Sequence, residues 1–362
     1  MIDFWRNRRV LVTGGTGFLG SELVLQLISR DADVGTIERD WVPRSRYQRE
    51  TMWLDHWSVN GDVLDAKLVA RVVNEYDIDT IFHLAAQAIV GIGNTSPAST
   101  YETNIMGTVN VLEAARLSKA VRRVIVASSD KAYGDLPVGV RFYSEAAPLR
   151  PHYPYDTSKA CADMIARSYA HTYGMDVMVV RCGNLYGPGD LNFDRIVPRT
   201  IQRILCGERP QVYGDGETVR DMTHVADAAD AYLLIGETPC GDWVRAVNVS
   251  GENPLSTREI VTCIANEMGW TDGIEFRYGI PVGIKEQRLD NLSMRRIGWK
   301  PQRRFIESLP ATINWYKEVL HGANELPRVL DGTPDIAGDD SEPATVPETE
   351  RRGCEARRSR AL

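Results

Sequence analysis

The first half of the sequence alternates short apolar runs with longer segments of helical periodicity, and this alternation limits the possible folds more than any other feature. The strand-like runs are Arg9–Thr13, Asp33–Ile37, Thr80–Leu84, Arg123–Ser128 and Asp176–Arg181. The helical patterns are Phe18–Ser29, Ala66–Glu75, Tyr101–Leu117 and Tyr155–Tyr173. Strands that alternate with helices of this length predict a parallel sheet covered on both faces. We therefore expect an α/β fold with a Rossmann-type doubly wound sheet.

The pattern changes along the chain and predicts three parts. Residues 1–184 form the doubly wound domain, to which strands and helices return from about 222–250. Residues 185–320 contain more loops and Gly/Pro turns. They are expected to form mainly a smaller C-terminal lobe over the carboxyl ends of the strands, where α/β sheets bind ligands. Residues 321–362 have few apolar side chains, so we expect a disordered tail.

Composition and charge exclude several classes of protein. The net charge of -7 argues against non-specific binding to nucleic acid or to an anionic membrane. The six cysteines are scattered without a Cys-x-x-Cys pair, so neither a disulfide framework nor a metal site is expected. The sequence shows no secretory leader and no run of about twenty apolar residues. We expect a cytoplasmic protein with no nucleic-acid or membrane partner.

A glycine-rich turn, Thr13-Gly-Gly-Thr-Gly-Phe-Leu-Gly20, joins the first predicted strand to the first helix. Gly14, Gly17 and Gly20 allow a tight turn, close approach of the backbone to a pyrophosphate, and close packing of helix on strand. Phe18 and Leu19 open the helix, whose N-terminal N–H groups attract phosphate. A glycine cluster alone indicates only a turn, but between a strand and a helix it predicts dinucleotide binding.

The dinucleotide is expected to be NAD, which makes residues 1–184 an NAD-binding domain. Glu38 ends the second predicted strand, where a carboxylate can bond the adenosine ribose hydroxyls and would repel a 2′-phosphate. Arg39, the next residue, weakens that preference. Asp62 and Val63, after the third strand, are expected to flank the adenine, although a plain turn explains them nearly as well.

Tyr155 and Lys159 lie four residues apart on a predicted helix and therefore share one face. A neighbouring ammonium stabilises phenolate, and lowering the pKa of a phenol from about 10 to about 7 needs roughly 4 kcal/mol. The pair alone is a frequent accident on helix surfaces. Here it follows a strand that ends in Ser128-Ser129, and the hydroxyl completes a proton-transfer site. We expect Tyr155 to exchange a proton with a substrate hydroxyl.

Together these motifs resemble the extended short-chain dehydrogenase/reductase family, in particular its nucleotide-sugar epimerases and dehydratases. The resemblance runs from Phe4 to about Tyr316. The motifs that carry it are the TGGTGFLG turn, His83-Leu-Ala-Ala86, Asn104 in YETNIMGT, the YxxxK pair, Arg181-Cys-Gly-Asn184 and Ile297-Gly-Trp-Lys-Pro301. It implies NAD as cofactor, a nucleotide sugar as substrate and a homodimer formed by the two long helices.

The resemblance also implies roles for individual residues. Ser129, Tyr155 and Lys159 are the catalytic triad. The cofactor is contacted by the glycine turn and by Leu84, Ala85, Ala86 and Asn104, together with Tyr155 and Lys159. The substrate is contacted by Gln87, Asn184, Arg195 and Arg220, and Arg220 suits bidentate pairing with the diphosphate. His83 receives no catalytic role, because a lone histidine at a strand end is more often structural.

Asp130 and Lys131 follow the catalytic serine and indicate the reaction. In the related dTDP-glucose 4,6-dehydratases an aspartic acid at the first position protonates the departing C6 hydroxyl, and a glutamate at the second removes the C5 proton. The Asp-Lys pair is similar to CDP-glucose 4,6-dehydratases, as are Gln87 in HLAAQ and the Asp194-Arg195 pair. The best hypothesis is a CDP-glucose 4,6-dehydratase in which Asp130 is the acid and Lys131, or a water that it positions, is the base.

Three alternatives stay open. The segment from Pro210 to Asp221 is more similar to dTDP- and UDP-sugar enzymes, so the nucleobase is not decided by sequence. A UDP-hexose 4-epimerase would share the cofactor residues and differ at Asp130 and Lys131. A non-catalytic nucleotide-binding protein of the same fold is the third class, and the complete set of Ser129, Tyr155 and Lys159 argues against it.

Overall fold

The computed structural model describes residues 4–239, 245–279 and 283–321. The strands in these ranges are β1 Arg9–Thr13, β2 Asp33–Glu38, β3 Trp57–Asn60, β4 Thr80–His83, β5 Arg123–Ala127, β6 Val177–Cys182, β7 Asn184–Tyr186, β8 Gln211–Tyr213, β9 Val219–His224, β10 Ala246–Val249, β11 Pro254–Ser256 and β12 Glu275–Arg277. The helices are α1 Phe18–Ile28, α2 Ala66–Glu75, α3 Val90–Thr95, α4 Pro97–Tyr101, α5 Gly107–Leu117, α6 Pro154–Tyr173, α7 Ile196–Leu205, α8 Val225–Glu237, α9 Thr257–Glu267, α10 Leu292–Arg296 and α11 Phe305–His321. The predicted tail, 321–362, lies outside the described residues except for His321, which ends α11.

Seven strands form one sheet in the order β10-β6-β5-β4-β1-β2-β3, and every neighbouring pair is parallel. The chain winds outward from β1 in one direction as far as β3, then returns to β4 and continues in the other direction. This reversal beside β1 opens a crevice at the carboxyl ends of the strands, where doubly wound sheets bind ligands. The predicted Rossmann-type α/β fold is confirmed.

Helices cover both faces of the sheet. On one face α1 and α8 pack together over Trp5, Phe82 and the apolar side chains of β1 and β6. On the other face α2, α5 and α6 enclose a second core that contains Val72, Leu112 and Val179. Side chains from alternate positions of each central strand enter the two cores, which explains why these strands are apolar without interruption.

The predicted helix Tyr101–Leu117 is not one regular helix. The structure has α4, then a π-helical turn at Glu102–Met106, then α5. A π-turn adds one residue to a helical turn and rotates the following side chains relative to those before it. Asn104 lies in this turn and bonds both the loop after β4 and α6. Periodicity could not reveal the turn, because the bonds that hold it come from distant residues.

A second group of elements follows β6. Strands β11, β9 and β7 form a small sheet, β12 pairs with β8, and helices α7, α9 and α11 surround a third core that includes Ile201, Ile260 and Tyr316. The proposed division into domains at residue 184 stays a prediction. Over the described ranges, no helix combines the length and the apolar character that crossing a bilayer requires.

A buried ion pair ties α6 to the sheet. Arg181 on β6 donates to Asp163 on α6 through Nε at 2.7 Å and Nη2 at 3.0 Å, and both side chains are almost fully buried. The remaining Nη1 donates to the hydroxyl of Tyr133 at 2.8 Å. Tyr133 in turn donates to Asn248 Oδ1 on β10 at 2.7 Å. One guanidinium therefore connects a helix, two strands and the Asp130–Tyr133 turn.

Asp163→Ala should strongly destabilise the protein, because it leaves the Arg181 guanidinium buried without a counter-charge. We expect the free energy of unfolding to fall by about 3–5 kcal/mol, measured by circular dichroism during a guanidinium chloride titration. The control is Glu75→Ala, which removes the exposed ion pair with Arg71 and should change stability by about 0.3–0.5 kcal/mol. Equal losses in the two variants would contradict this interpretation.

Candidate active site

A cavity of about 650 Å³ opens at the carboxyl ends of the central strands. It brings together most of the residues that the sequence singled out. The predicted residues that line it are Gly14, Gly17, Phe18, Leu19, Gly20, Asp62, Val63, Leu84, Ala85, Ala86, Ser129, Asp130, Lys131, Tyr155, Lys159, Asn184, Arg195 and Arg220. Glu38, Gln87 and Asn104 are not among the lining residues.

The glycine turn after β1 fits a dinucleotide pyrophosphate. Gly14 has φ +75°, and a Cβ there would come within 2.7 Å of the Ala85 backbone nitrogen. A Cβ on Gly20 would lie 2.0 Å from the Gly14 carbonyl oxygen. Helix α1 begins at Phe18 without a side-chain cap, so its N-terminal N–H groups are presented to the cavity by a turn that only glycine permits. The residues present therefore fit NAD at this end.

The adenosine end differs from the prediction for Glu38. The Glu38 carboxylate accepts hydrogen bonds from Thr36 Oγ1, at 2.9 Å, and from the hydroxyl of Tyr47. Tyr47 belongs to a π-helical turn, Tyr47–Thr51, inserted between β2 and β3, and both bonds are made to the same oxygen, Oε1. The contact of Glu38 with the ribose stays a prediction. The next two residues, Arg39 and Asp40, line the cavity instead.

Arg39 is itself neutralised at this end of the cavity. Its Nε lies 2.7 Å from Asp40 Oδ2, and its Nη1 lies 3.8 Å from Asp62 Oδ2. Two carboxylates thus accompany the Arg39 guanidinium, which would otherwise attract a 2′-phosphate. The sequence does contain a signal for this arrangement, because Arg39 and Asp40 directly follow the strand. Glu38 was predicted instead, because it is the last residue of the strand.

Asn104 connects the loop after β4 to α6, and its predicted contact with the cofactor stays a prediction. Its Oδ1 accepts from the Gln87 backbone nitrogen at 2.7 Å. Its Nδ2 donates to the Gln87 carbonyl at 3.1 Å and to Ser158 Oγ at 2.8 Å. The amide is fully used and buried. It fixes the loop after β4, whose Leu84–Ala86 backbone lines the cavity, against the helix that carries Tyr155.

Neither Gln87, a predicted substrate contact, nor His83, for which no catalytic role was expected, lines the cavity. The Gln87 side chain turns back so that Oε1 accepts from the Ile89 backbone nitrogen at 2.5 Å. His83 is buried between Thr13 Oγ1, at 2.8 Å, and Thr108 Oγ1, at 3.0 Å. Burial lowers the pKa of His83 to about 3. The imidazole is therefore neutral and joins β1, β4 and α5.

Tyr155 and Lys159 lie on the first turns of α6, but they are not coupled as the spacing predicted. The Lys159 Nζ donates to the Ala127 carbonyl at the end of β5, at 2.9 Å, and burial lowers its pKa to about 8. Burial raises the pKa of Tyr155 to about 12, against the opposing charge of Arg195. In the protein without its cofactor, burial outweighs the opposing charge of Arg195. The predicted lowering of the Tyr155 pKa by Lys159 together with the nicotinamide cation stays a prediction.

Asp130 and Lys131 lie in the 3₁₀ turn that follows β5. Ser129 caps this turn, its Oγ accepting from the Lys131 backbone nitrogen at 3.2 Å. Burial raises the pKa of Asp130 to about 6. Burial also lowers the pKa of Lys131, against the charges of Asp156 and Asp130, and the Lys131 Nζ lies 5.9 Å from the ring centroid of Tyr155. The turn thus places a carboxyl group with a raised pKa beside an amine with a lowered pKa.

The far end of the cavity is cationic. Arg195 is the N-cap residue of α7 and lies 3.3 Å from Asp190 Oδ2, and no side chain caps the helix. Arg220 on β9 is held by the carbonyls of Val219 and Ile284 at 2.9 and 2.7 Å. Two guanidinium groups and a helix N-terminus that meet in one cavity suit a diphosphate. Among the described residues, no group of three or more His, Cys, Asp or Glu side chains could hold a metal ion.

One residue of the site had no sequence signal. Gln287 lies 157 positions from Asp130, yet its Nε2 donates to Asp130 Oδ2 at 2.9 Å. Its Oε1 accepts from Asn184 Nδ2 at 3.2 Å. No motif surrounds Gln287, and only the folding of the C-terminal segment against β9 brings it to the cavity.

A sequence model of the NAD dependent epimerase/dehydratase family matches residues 10–250. The chain belongs to this family. This confirms the resemblance to nucleotide-sugar epimerases and dehydratases of the extended short-chain dehydrogenase/reductase family. The match covers every strand of the seven-stranded sheet and both cationic residues at the far end of the cavity.

Individual relatives include both reaction types of the family. The chain is 30% identical to a dTDP-glucose 4,6-dehydratase of Shigella flexneri, over 90% of this chain and 96% of that one. The structure of the dTDP-glucose 4,6-dehydratase DesIV from Streptomyces venezuelae, with NAD and TYD bound, is 30% identical and has a TM-score of 0.78. That match covers 86% of this chain and 97% of the other. A UDP-glucose 4-epimerase from Thermotoga maritima is 27% identical, with a TM-score of 0.79 and coverage of 86% and 99%.

Asp130→Asn should stabilise the protein at neutral pH. The pKa of Asp130 is about 6 in the folded state and about 3.9 in the unfolded state, so folding favours the protonated form. The free energy of unfolding therefore falls as pH rises from about 4 to 6. At pH 7 we expect a gain of about 1–3 kcal/mol for Asp130→Asn, by urea denaturation, and a shallower slope between pH 4 and 6.

Asp156 has its pKa raised to about 6 by burial and keeps part of that slope in the variant. The control is Asp272→Asn at an exposed position, which should leave both stability and slope unchanged. If Asp130→Asn is no more stable than the parent at pH 7, burial of the charged Asp130 carboxylate does not reduce the free energy of unfolding.

Proposed function

We propose that this protein is an NAD-dependent nucleotide-sugar 4,6-dehydratase, which converts a nucleoside-diphosphate hexose to its 4-keto-6-deoxy derivative. The observation that carries the proposal is the pairing of a buried carboxyl group, Asp130, whose pKa is raised to about 6, with Lys131 in the turn beside Tyr155. A 4-epimerase needs no acid for a C6 hydroxyl. The dehydratase relatives over nearly the whole chain support the same reaction class.

In the proposed first step Tyr155 removes the proton of the C4 hydroxyl. Ser129 adjoins the phenol and lowers the pKa of Tyr155 by hydrogen bonding, in opposition to burial. Bound NAD supplies the acceptor, and later the donor, of the hydride, and its positive ring favours the phenolate. Lys159 is held by Ala127 O at the edge of the cavity, where its ammonium can orient a ribose hydroxyl.

In the second step water is eliminated across C5 and C6. The 4-keto group acidifies the C5 hydrogen, and Lys131, or a water that it positions, takes that proton. Asp130 gives its proton to the C6 oxygen, which leaves as water. A carboxyl pKa of about 6 keeps roughly a tenth of Asp130 protonated at pH 7. Burial of Lys131 favours its neutral form, as a base requires. The hydride taken from C4 then goes to C6, and Tyr155 returns a proton to C5, directly or through a relay.

The diphosphate is proposed to lie between Arg195, Arg220 and the first turn of α7, with Asn184 beside it. For the nucleobase we propose cytosine, as in CDP-glucose, because Asp130-Lys131 is similar to the CDP-glucose enzymes. The relatives named for dTDP-glucose make thymine the alternative base. A homodimer through α5 and α6 also stays a proposal, supported by exposed apolar side chains on these helices: Leu117, Met164 and Tyr173.

The test is incubation with CDP-, dTDP-, UDP- and GDP-glucose, followed by mass spectrometry and carbohydrate analysis. We expect loss of one water and a 4-keto-6-deoxy product, with CDP-glucose the preferred substrate. Tyr155→Phe should abolish turnover. It should still bind the nucleotide, because every other contact of the parent protein is kept. A C4 epimer of unchanged mass would replace this proposal with the epimerase, to which the Thermotoga maritima structure is similar.

Lys131→Met should separate the two steps. The variant keeps the length and apolar stem of the side chain but removes the amine. We expect oxidation at C4 to continue while elimination slows by about 100-fold or more, so reduced cofactor accumulates and absorbs at 340 nm in a single turnover. Lys300→Met, at an exposed position, is the control. Unchanged product formation by Lys131→Met would remove Lys131 from the mechanism.

A further inference from the structure

Gln287 forms a direct bridge between two lining residues of the cavity. Its amide nitrogen donates to Asp130 Oδ2 at 2.9 Å, and its amide oxygen accepts from Asn184 Nδ2 at 3.2 Å. The side chain is 1% exposed. The backbone is anchored as well, because Gln287 N donates to the carbonyl of Val219 on β9 at 3.3 Å. Gln287 is therefore held both through its side-chain amide and through its backbone nitrogen.

The direction of these bonds determines the environment of each Asp130 oxygen. Because Asn184 donates to the amide oxygen of Gln287, the amide nitrogen of Gln287 faces Asp130. Ser129 Oγ donates to the other carboxyl oxygen, Oδ1, at 3.1 Å. Ser129 is a hydroxyl and can reverse its role and accept, whereas an amide NH₂ can only donate. A proton on Oδ2 would therefore face the N–H group of Gln287, which is also a donor. A proton on Oδ1 would face Ser129 Oγ, which can accept it.

We propose that Gln287 is a positioning residue for the acid: it fixes the plane of the Asp130 carboxyl group and directs the transferable proton to Oδ1, on the side of Ser129. The same amide keeps Asp130 at a set distance from Asn184. The catalytic consequence rests on the proposed dehydratase function, but the bridge and its effect on the proton do not.

Removal of the donor has a defined electrostatic result. An N–H bond to a carboxylate stabilises the charged form, so its loss favours the neutral acid. In Gln287→Met, which keeps length and apolar volume, we expect the limb of the pH–kcat profile that Asp130 sets to move upward by about one pH unit. We also expect the plateau of kcat to fall by about 10- to 100-fold, with KM within about twofold, because the acid is no longer oriented.

The matched control is Gln211→Met. Gln211 is another buried glutamine that donates to a carboxylate at 2.9 Å, that of Glu275, and its side chain is outside the cavity lining. Its loss should leave the pH profile unchanged. If Gln287→Met does not fold, Gln287→Glu takes its place, since it has the same shape and puts a second carboxyl group beside Asp130, which raises the pKa of Asp130 and should move the limb in the same direction.

A second readout needs no turnover. The carboxyl stretching band of Asp130, identified by its loss in Asp130→Asn, is titrated by infrared difference spectroscopy in the parent, Gln287→Met and Gln211→Met. We expect its midpoint to rise by about one pH unit only in Gln287→Met. An unchanged midpoint in a folded Gln287 variant would overturn the inference. Absence of dehydration of any nucleotide hexose, with the midpoint shifted, would overturn the proposed function alone.

Discussion

The buried pair of Arg181 and Asp163 is the interaction on which the geometry of the site depends. It holds α6, and with it Tyr155, against β6. Through Tyr133 the same guanidinium holds the turn that presents Asp130. Two charges buried together contribute little net stability, but removal of either leaves the other without a partner. The pair therefore fixes two segments of the proposed site to one strand. It contributes little to the free energy of folding.

Desolvation is the common cause of the unusual acidities at the cavity. It raises the pKa of the Asp130 carboxyl and lowers the pKa of the Lys159 and Lys131 amines, so each group is brought toward neutrality. The same effect makes the phenol of Tyr155 a weaker acid in the protein alone. Under the proposed mechanism, burial therefore favours the neutral forms that the elimination needs, while activation of the phenol depends on positive charge brought by the bound cofactor.

The sequence was sufficient for features that local pattern controls. The strand–glycine–helix unit at Gly14 to Gly20 and the order of alternating elements led directly to the observed sheet. It was insufficient where contacts between distant segments decide the outcome. The inserted turn between β2 and β3 brings Tyr47 to the Glu38 carboxylate. Asn104 connects the loop after β4 to α6. Gln287 could not be identified at all, because nothing near it in the chain distinguishes it from a surface glutamine.

The position of β10 at the margin of the principal sheet has a consequence for biogenesis. This strand pairs with β6 but is separated from it by more than sixty residues, and Arg123 bonds the carbonyls of Ile235 and Gly236 at the end of α8. Pairing over such sequence separations is slow, since a long loop must close first. A nascent chain that has emerged only as far as β6 therefore exposes an unpaired strand edge, a template for aggregation until α8 and β10 arrive.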